Sequence, residues 1–163
     1  MQEKVKTLQE LKRIRTEAKK TGQKVVWTNG CYDIVHAGHV LYLQRAKKLG
    51  DLLFVGLNSD RSIRGTKGAQ RPIVQQDERA IVLSALACVD YVIIFDQDSP
   101  IEIIRDLEPD IYAKGGDYTI DTINQPERRV VEGYGGEIAL LPGVKGSSTT
   151  AIIKRILKAY GDH

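Results

Sequence analysis

The chain has 163 residues, enough for one domain with a sizeable core, and its 42% hydrophobic and 28% charged residues are ordinary for a globular protein. A formal net charge of +3 suits a site for anionic small molecules and is too weak to indicate a nucleic-acid-binding face. Two cysteines, Cys31 and Cys88, exclude a disulfide scaffold, and we see no signal peptide or membrane span, so a cytoplasmic protein without membrane contact is expected.

The first 22 residues predict an amphipathic helix, and residues 23–163 are expected to form the main domain. The apolar positions of the helix recur at helical spacing among Lys, Arg and Glu: Leu8, Leu11, Ile14 and Ala18. We expect a solvated helix that packs on the domain by a thin apolar stripe; a cap or a dimer contact is the alternative.

From there apolar strands alternate with helical patterns. Strands are predicted at Lys24–Thr28, Leu52–Leu57, Val89–Phe95, Asp110–Ala113 and Glu137–Leu141. Helices are predicted at His39–Leu49, Asp77–Ala87, after Pro100, at Asn124–Glu132 and at the C-terminal end. This alternation predicts an α/β fold, a Rossmann-like doubly wound parallel sheet of five strands with helices on both faces. A ligand site is expected where the strands end, at the carboxyl edge of the sheet.

A strand, a tight turn and two histidines follow one another between Trp27 and His39. His36 and His39 open a helical pattern and lie on one helix face. Such a junction presents backbone N–H groups and the positive end of a helix, both of which favour phosphate. Gly38 removes a side chain between the two rings, which allows a ligand to approach closely. The alternative is an ordinary turn with two solvated histidines.

The segment Ser62–Val74 shows no periodicity and is predicted to be a loop. Its basic residues Arg64, Lys67 and Arg71 would let it fold over an anionic substrate and exclude water. A solvated surface loop explains the same composition equally well.

Two later segments also combine glycine or hydroxyl groups with an element end. Lys114-Gly115-Gly116-Asp117 follows a strand, where a bare backbone and a lysine suit phosphate; a simple turn is the alternative. The run Ser147–Thr150 precedes the last helix, where its hydroxyls either cap the helix or hold phosphate oxygens. Arg79, in the first turn of its helix, weakly indicates a nearby anion.

His36-Ala37-Gly38-His39 resembles the HxGH signature of the cytidylyltransferase-like nucleotidyltransferases. The run Asn29–His39, with Lys114–Tyr118 and Gly146–Thr150, most resembles the adenylyltransferase domain of ADP-heptose synthases. Three motifs in this order form a strong pattern, although HxGH alone is a weak one. The resemblance covers the chain from Lys24 to Leu157.

The resemblance implies a set of site residues and partners. The expected catalytic residues are His36, His39, Lys67 and Lys114. The expected nucleotide- or phosphate-binding residues are Asn29, Gly30, Cys31, Tyr32, Gly38, Arg79, Gly115, Gly116, Asp117, Ser147, Ser148, Thr149 and Thr150. The expected sugar-phosphate-binding residues are Asp33, Asn58 and Asp60. Mg²⁺ is expected to arrive with ATP rather than in a protein metal cage, and a homodimer is expected.

The implied reaction transfers AMP from ATP to D-glycero-β-D-manno-heptose 1-phosphate, giving ADP-heptose for lipopolysaccharide or related glycans. One alternative is a CTP-dependent cytidylyltransferase for glycerol 3-phosphate or another small phospho-alcohol. Against it, Val144–Ser148 departs from the RTxGISTT run of the glycerol-phosphate enzymes, and Lys114–Asp117 differs from their usual Gly-Thr-Phe-Asp turn. An alternative of another class is a non-catalytic nucleotide-binding sensor, which need not keep transition-state donors such as the two histidines.

Overall fold

A single parallel sheet organises the chain, and the computed structural model describes residues 2–144 and 146–161. The strands are β1 (Val25–Gly30), β2 (Leu52–Asn58), β3 (Tyr91–Phe95), β4 (Ile111–Gly115) and β5 (Glu137–Leu141). They lie in the order β3-β2-β1-β4-β5, and every neighbouring pair is parallel. The predicted α/β fold with a five-stranded parallel sheet is confirmed.

Helices connect the strands and cover both faces of the sheet. The α-helices are α1 (Leu8–Lys20), α2 (Ala37–Lys47), α3 (Asp60–Lys67), α4 (Gln76–Ala85), α5 (Ile101–Leu107), α6 (Gln125–Gly133) and α7 (Thr149–Tyr160). Among the described residues, none of these helices combines the length and the apolar character that a membrane crossing requires.

Each face of the sheet has its own apolar cluster, because successive strand residues point to opposite faces. On one face, Leu43 of α2 and Leu83 of α4 pack with Val55 of β2. On the other face, Leu11 of α1 packs with Trp27 of β1, and both are fully buried. Strands β1 and β2, which lie inside the sheet, are therefore covered from both sides, as the near-continuous apolar run Leu52–Leu57 of β2 predicts.

The N-terminal helix is fastened to the domain more firmly than a thin apolar stripe would require. Thr7 caps α1 in a capping box with Glu10, which fixes where the helix begins. Arg15 is buried, and its two terminal nitrogens lie 2.9 and 3.0 Å from the carboxylate oxygens of Asp110. It also donates to the carbonyl oxygen of Leu107 at 3.1 Å. This bidentate pair anchors α1 to the segment that leads into β4.

The prediction of a loop throughout Ser62–Val74 is wrong for its first half, which belongs to α3. Ser59 caps this helix by accepting a hydrogen bond from the backbone N–H of Ser62. Only Ser62 and Ile63 of α3 are buried, so an eight-residue helix offers too short an apolar pattern to recognise. Gly68, at a φ of +94°, ends the helix directly after Lys67.

Candidate active site

One cavity of about 490 Å³ lies at the carboxyl edge of the sheet, where β1 and β4 end and α2 and α7 begin. This is the edge at which parallel sheets bind ligands, and the volume lies in the range of small-molecule sites. The predicted residues that line it are His36, His39, Lys67, Lys114, Asn29, Gly30, Cys31, Tyr32, Gly38, Gly115, Gly116, Ser147, Ser148, Thr149 and Thr150. The structure therefore brings the imidazole pair and the hydroxyl run to one place.

The two imidazole rings are stacked at the start of α2. His36 is the N-cap residue, and its ring centroid is 3.9 Å from that of His39, with 24° between the ring planes. The Nδ1 atoms of both rings are buried and have no hydrogen-bond partner within the described residues. No side chain caps α2, so the backbone N–H groups at its N-terminal end can bind an anion. The two imidazoles offer further hydrogen-bond donors at the same place.

Gly38 allows the first turn of α2 and the segment before α7 to meet. A Cβ atom at this position would lie 2.9 Å from His36 Cε1 and 2.9 Å from Ser147 Cβ. Ser148 caps α7 by accepting a hydrogen bond from the N–H of Ala151 at 3.0 Å. Two helix N-termini thus converge on the cavity. Lys145, in the middle of the same segment, lies outside the described residues.

Among the described residues, three cations line the cavity, and two of them pair with buried carboxylates. Lys67 is the last residue of α3. Arg71 Nε lies 2.5 Å from Asp33 Oδ2. Lys114 Nζ lies 3.3 Å from Glu127 Oε2, and Glu127 is almost completely buried on α6. No carboxylate lines the cavity itself among the described residues, so its lining suits a polyanion.

Arg79 does not line the cavity, although the sequence suggested an anion beside it. The guanidinium is buried and donates to the carbonyl oxygens of Cys31, Asn58 and Val74 at 2.5, 2.9 and 2.9 Å. It also pairs with Asp60 Oδ1 at 2.7 Å. The nearby anion is therefore the protein's own Asp60, and Arg79 ties the ends of β1 and β2 together.

The predicted sugar-phosphate residues are also engaged within the protein. Asp33 is buried and accepts hydrogen bonds from the backbone N–H groups of Ile73 and Val74 at 2.8 and 2.9 Å, besides its pair with Arg71. Asp33 thereby connects the segment after α3 to the turn that follows β1. Asn58 and Asp60 belong to the hydrogen-bond network of Arg79, and none of the three expected sugar-phosphate residues lines the cavity. Asp117, an expected nucleotide-binding residue, is exposed and does not line it either.

The cavity lining also includes residues outside the expected set of site residues: Tyr42, Arg71, Tyr118, Gly143 and Val144. Of these, Arg71 is expected from the sequence only as a basic residue of a segment that folds over the substrate. Tyr42 lies three residues after His39 on α2, a spacing that could have placed it on the same face. Its hydroxyl lies 2.7 Å from Thr28 Oγ1 and donates to the carbonyl oxygen of Ala113 at 3.0 Å. Burial raises the pKa of Tyr42 to about 12, so this hydroxyl stays protonated and links β1 to β4.

Burial keeps both histidines neutral at physiological pH. It lowers the pKa of His39 from its ordinary value near 6.5 to about 4, assisted by the charges of His36 and Lys67. Burial also lowers the pKa of His36. Between pH 6.5 and 4 the folded state therefore binds fewer protons at His39 than the unfolded state, so the free energy of unfolding falls as the pH falls through this window. Above pH 6.5 this contribution is constant.

A bound polyphosphate is expected to raise the pKa of His39, because an anion favours the imidazolium form. The measurement is an NMR titration of the imidazole Cε1–H signals with and without inorganic tripolyphosphate, assigned with His36→Ala and His39→Ala variants. We expect the His39 signal to titrate near pH 4 in the free protein and at a higher pH with the ligand. A midpoint that tripolyphosphate leaves unchanged would contradict an anion site at this ring.

Comparisons with known proteins show the family to which the chain belongs. The family model described as Cytidylyltransferase-like matches residues 27–155. The bifunctional protein HldE of Geobacter sulfurreducens is 54% identical over 98% of this chain and 32% of its own length. The bifunctional protein HldE of Syntrophotalea carbinolica is 50% identical over 96% of this chain and 32% of its own length. The chain thus spans about a third of the length of these curated relatives.

Two solved structures share the fold. The lipopolysaccharide core biosynthesis protein from Thermoplasma volcanium GSS1 aligns over 77% of this chain and 100% of its own, with a TM-score of 0.63 and 28% identity. Pantoate-beta-alanine ligase from Francisella tularensis aligns over 94% of this chain and 78% of its own, with a TM-score of 0.62, but at 13% identity it supports the fold alone. Since the family model spans every element from β1 into α7, the chain belongs to the cytidylyltransferase-like family and is a nucleotidyltransferase.

Proposed function

We propose that the chain transfers AMP from ATP to D-glycero-β-D-manno-heptose 1-phosphate, giving ADP-heptose and pyrophosphate. A phosphate oxygen of the sugar phosphate attacks the α-phosphorus of ATP, and the bond from that phosphorus to the β-phosphate oxygen breaks. The HldE relatives at 54% and 50% identity and the resemblance to ADP-heptose synthases support this choice of substrates. The relatives are about three times longer than this chain and are described as bifunctional. We therefore also propose that the adenylyl transfer belongs to the part of them that matches this chain.

The observation that carries the proposal is the meeting of two helix N-termini, two neutral imidazoles and the cations Lys67, Arg71 and Lys114 around one cavity. The lining offers hydrogen-bond donors and positive charge from several directions, which matches the many oxygens of a triphosphate. The cavity volume of about 490 Å³ is also suited to a nucleotide rather than to a lone phosphate.

The reaction requires a site that binds and orients phosphate groups, and little further chemistry from the protein. A phosphate monoester is already an anionic nucleophile near neutral pH, so no general base is required. The work lies in aligning the two substrates and in stabilising the charge that moves onto the departing pyrophosphate. In this proposal His36 and His39 donate hydrogen bonds to the phosphates in the transition state, while Lys67 and Lys114 neutralise charge. Ser147–Thr150 and the first turn of α7 hold the triphosphate oxygens.

Mg²⁺ is proposed to arrive on the triphosphate. The described residues contain no group of three histidine, cysteine or carboxylate side chains arranged to hold a metal ion, and the described cavity lining has no carboxylate. The lining therefore fits phosphate oxygens rather than a cation, and no protein residue is assigned as a ligand. When bound, the ion would reduce the repulsion between the triphosphate and the incoming sugar phosphate.

The base of the nucleotide is proposed to lie at the glycine-lined end of the cavity. A Cβ atom at Gly143 would lie 3.5 Å from the Cα atom of Gly116, so two bare backbones run close together there. Tyr118 is half exposed, lines the same end, and its ring lies beside Gly116. Backbone groups can read the edge of a base while an aromatic ring covers its face.

A homodimer in the cytoplasm is the proposed state of the enzyme. The two cysteines are free thiols, as a reducing compartment maintains. The helix α7 exposes Ile156, Leu157 and Tyr160, which leaves apolar surface for an assembly.

The substrates are tested by combining ATP or CTP with heptose 1-phosphate or glycerol 3-phosphate and measuring pyrophosphate release. We expect the highest kcat/KM with ATP and heptose 1-phosphate. Faster release with CTP and glycerol 3-phosphate would favour the cytidylyltransferase alternative. Nucleotide binding without pyrophosphate release from any pair would favour the sensor.

A further inference from the structure

One buried carboxylate joins several groups behind the cavity. Glu127 lies in the first turn of α6 and is only 4% exposed. Its Oε2 atom lies 2.6 Å from the hydroxyl of Tyr112 and 3.3 Å from Nζ of Lys114. Its Oε1 atom accepts a hydrogen bond from the hydroxyl of Ser99 at 3.0 Å. Glu127 therefore connects α6 to β4 and to the segment before α5.

Two cavity-lining residues depend on this carboxylate. Lys114 contacts it directly, and its side chain also lies over the ring of Tyr112, with Nζ 5.1 Å from the centroid. Asn29 is connected to it indirectly, because the Tyr112 hydroxyl lies 2.6 Å from Glu127 Oε2 and 2.9 Å from Asn29 Oδ1. Lys114 comes from β4 and Asn29 from β1, so one group behind the sheet edge holds residues from both strands.

Burial explains why the carboxylate can act on Lys114. A buried charge is tolerated only when it is paired and hydrogen-bonded, and Lys114 is the cation within ion-pair distance of Glu127 among the described residues. A lysine side chain is otherwise flexible and loses rotamer entropy when it is fixed. The pair fixes the ammonium group at the cavity before any substrate arrives, which is the kind of preorganisation that lowers a barrier.

The alternative is a purely structural role, in which Glu127 only stabilises the start of α6. Asn124 accepts a hydrogen bond from the backbone N–H of Glu127 at the start of α6, so the residue also belongs to the helix terminus. Loss of the carboxylate would then loosen α6 without any special effect on Lys114. The two roles differ in whether the effect of Glu127 requires Lys114.

We propose that Glu127 is a positioning residue that holds Lys114, and through Tyr112 also Asn29, in place for the nucleotide phosphates. The proposal rests on the proposed function for its kinetic readout. It makes Lys114 a preset part of the site, and it assigns to the first turn of α6, which lines none of the cavity, a role in turnover.

The test is a double-mutant cycle with Glu127→Gln and Lys114→Met, read as kcat for pyrophosphate release and KM for ATP. We expect Glu127→Gln to lower kcat by about 10–100-fold in the wild-type background and by less than about threefold when Lys114 is already methionine. An equal loss in both backgrounds would overturn the proposal. The matched control is Glu132→Gln, an exposed carboxylate on the same helix that pairs with Arg128, and it should change kcat by less than about twofold.

A second readout needs no substrate. The order parameter of the Lys114 side chain, measured by NMR relaxation, should fall in Glu127→Gln and stay unchanged in Glu132→Gln. An unchanged order parameter in Glu127→Gln would overturn the proposal whatever the kinetics. Absence of pyrophosphate release from the wild-type protein would defeat the proposed function alone, because this measurement would still decide the role of Glu127.

Should Glu127→Gln fail to fold, Tyr112→Phe removes a single hydroxyl and tests the indirect link. We expect it to lower kcat by about 3–10-fold, and to have less than about a twofold effect in an Asn29→Ala background. Equal effects in both backgrounds would overturn the link to Asn29.

Discussion

Replacing His39 with alanine is expected to lower turnover by about 10²–10³-fold, the usual effect of losing one transition-state donor. The ring is neutral at pH 7, because burial lowers its pKa to about 4, and it lines the cavity beside His36. It can therefore donate one hydrogen bond whose strength grows as charge develops on the phosphates. Affinity for ATP is expected to change by less than about threefold, since the helix N-termini and the cations still hold the ground state. Steady-state kcat and calorimetric ATP binding measure the two effects separately.

The control for this substitution is His39→Gln, which keeps an N–H donor of similar reach and is expected to recover part of the lost turnover. Thermal unfolding of both variants shows whether the fold is intact. Near-normal turnover in His39→Ala would remove the imidazole from the mechanism. A loss of ATP affinity as large as the loss of turnover would make it a ground-state binding residue instead.

The elements that could be predicted from the sequence are those whose burial follows from the pattern of neighbouring residues in the chain. The apolar run of β2 predicts a strand covered on both faces, and β2 lies inside the sheet between β3 and β1. Once the strands are parallel, the turns that follow them must lie at one edge. For this reason the histidines after β1, the glycines after β4 and the hydroxyls before α7 could be expected in one cavity.

The network around Arg79 could not be predicted, because its partners are distant in the chain. A cation in the first turn of a helix indicates an anion, and an external phosphate and an internal carboxylate satisfy that pattern equally. The structure selects Asp60, nineteen residues earlier. Asp33 presented the same problem, since its partners lie after α3 and no local pattern connects them.

The sequence predicts a helix around Glu127 but no role for its side chain. In the structure Asn124 caps α6 by accepting a hydrogen bond from the backbone N–H of Glu127. The structure shows the cap and also shows the side chain buried against Tyr112 and Lys114. Burial of a charged residue depends on how α6 packs on the sheet, and the composition of a polar helix carries no sign of it.

Replacing Arg79 with methionine is expected to lower the free energy of unfolding by about 3–5 kcal/mol, the cost of removing one partner from a buried ion pair. Methionine matches much of the volume but leaves Asp60 and three carbonyl oxygens without their donor. In a domain of this size the melting temperature should fall by about 6–20 °C. Urea unfolding and thermal scans measure both quantities.

Two variants separate this mechanism from a general effect of losing an arginine. Arg61→Met removes an exposed cation whose Nε is 3.8 Å from Asp96, and it should cost less than about 1 kcal/mol. Adding Asp60→Asn to Arg79→Met removes the unpaired carboxylate and should restore part of the stability, while the carbonyl oxygens stay unsatisfied. If Arg79→Met cost no more than Arg61→Met, the guanidinium would not hold the ends of β1 and β2 together. Because the carbonyl oxygen of Cys31 accepts a hydrogen bond from Arg79 and Cys31 lines the cavity, that result would also mean that Arg79 does not stabilise the turn after β1.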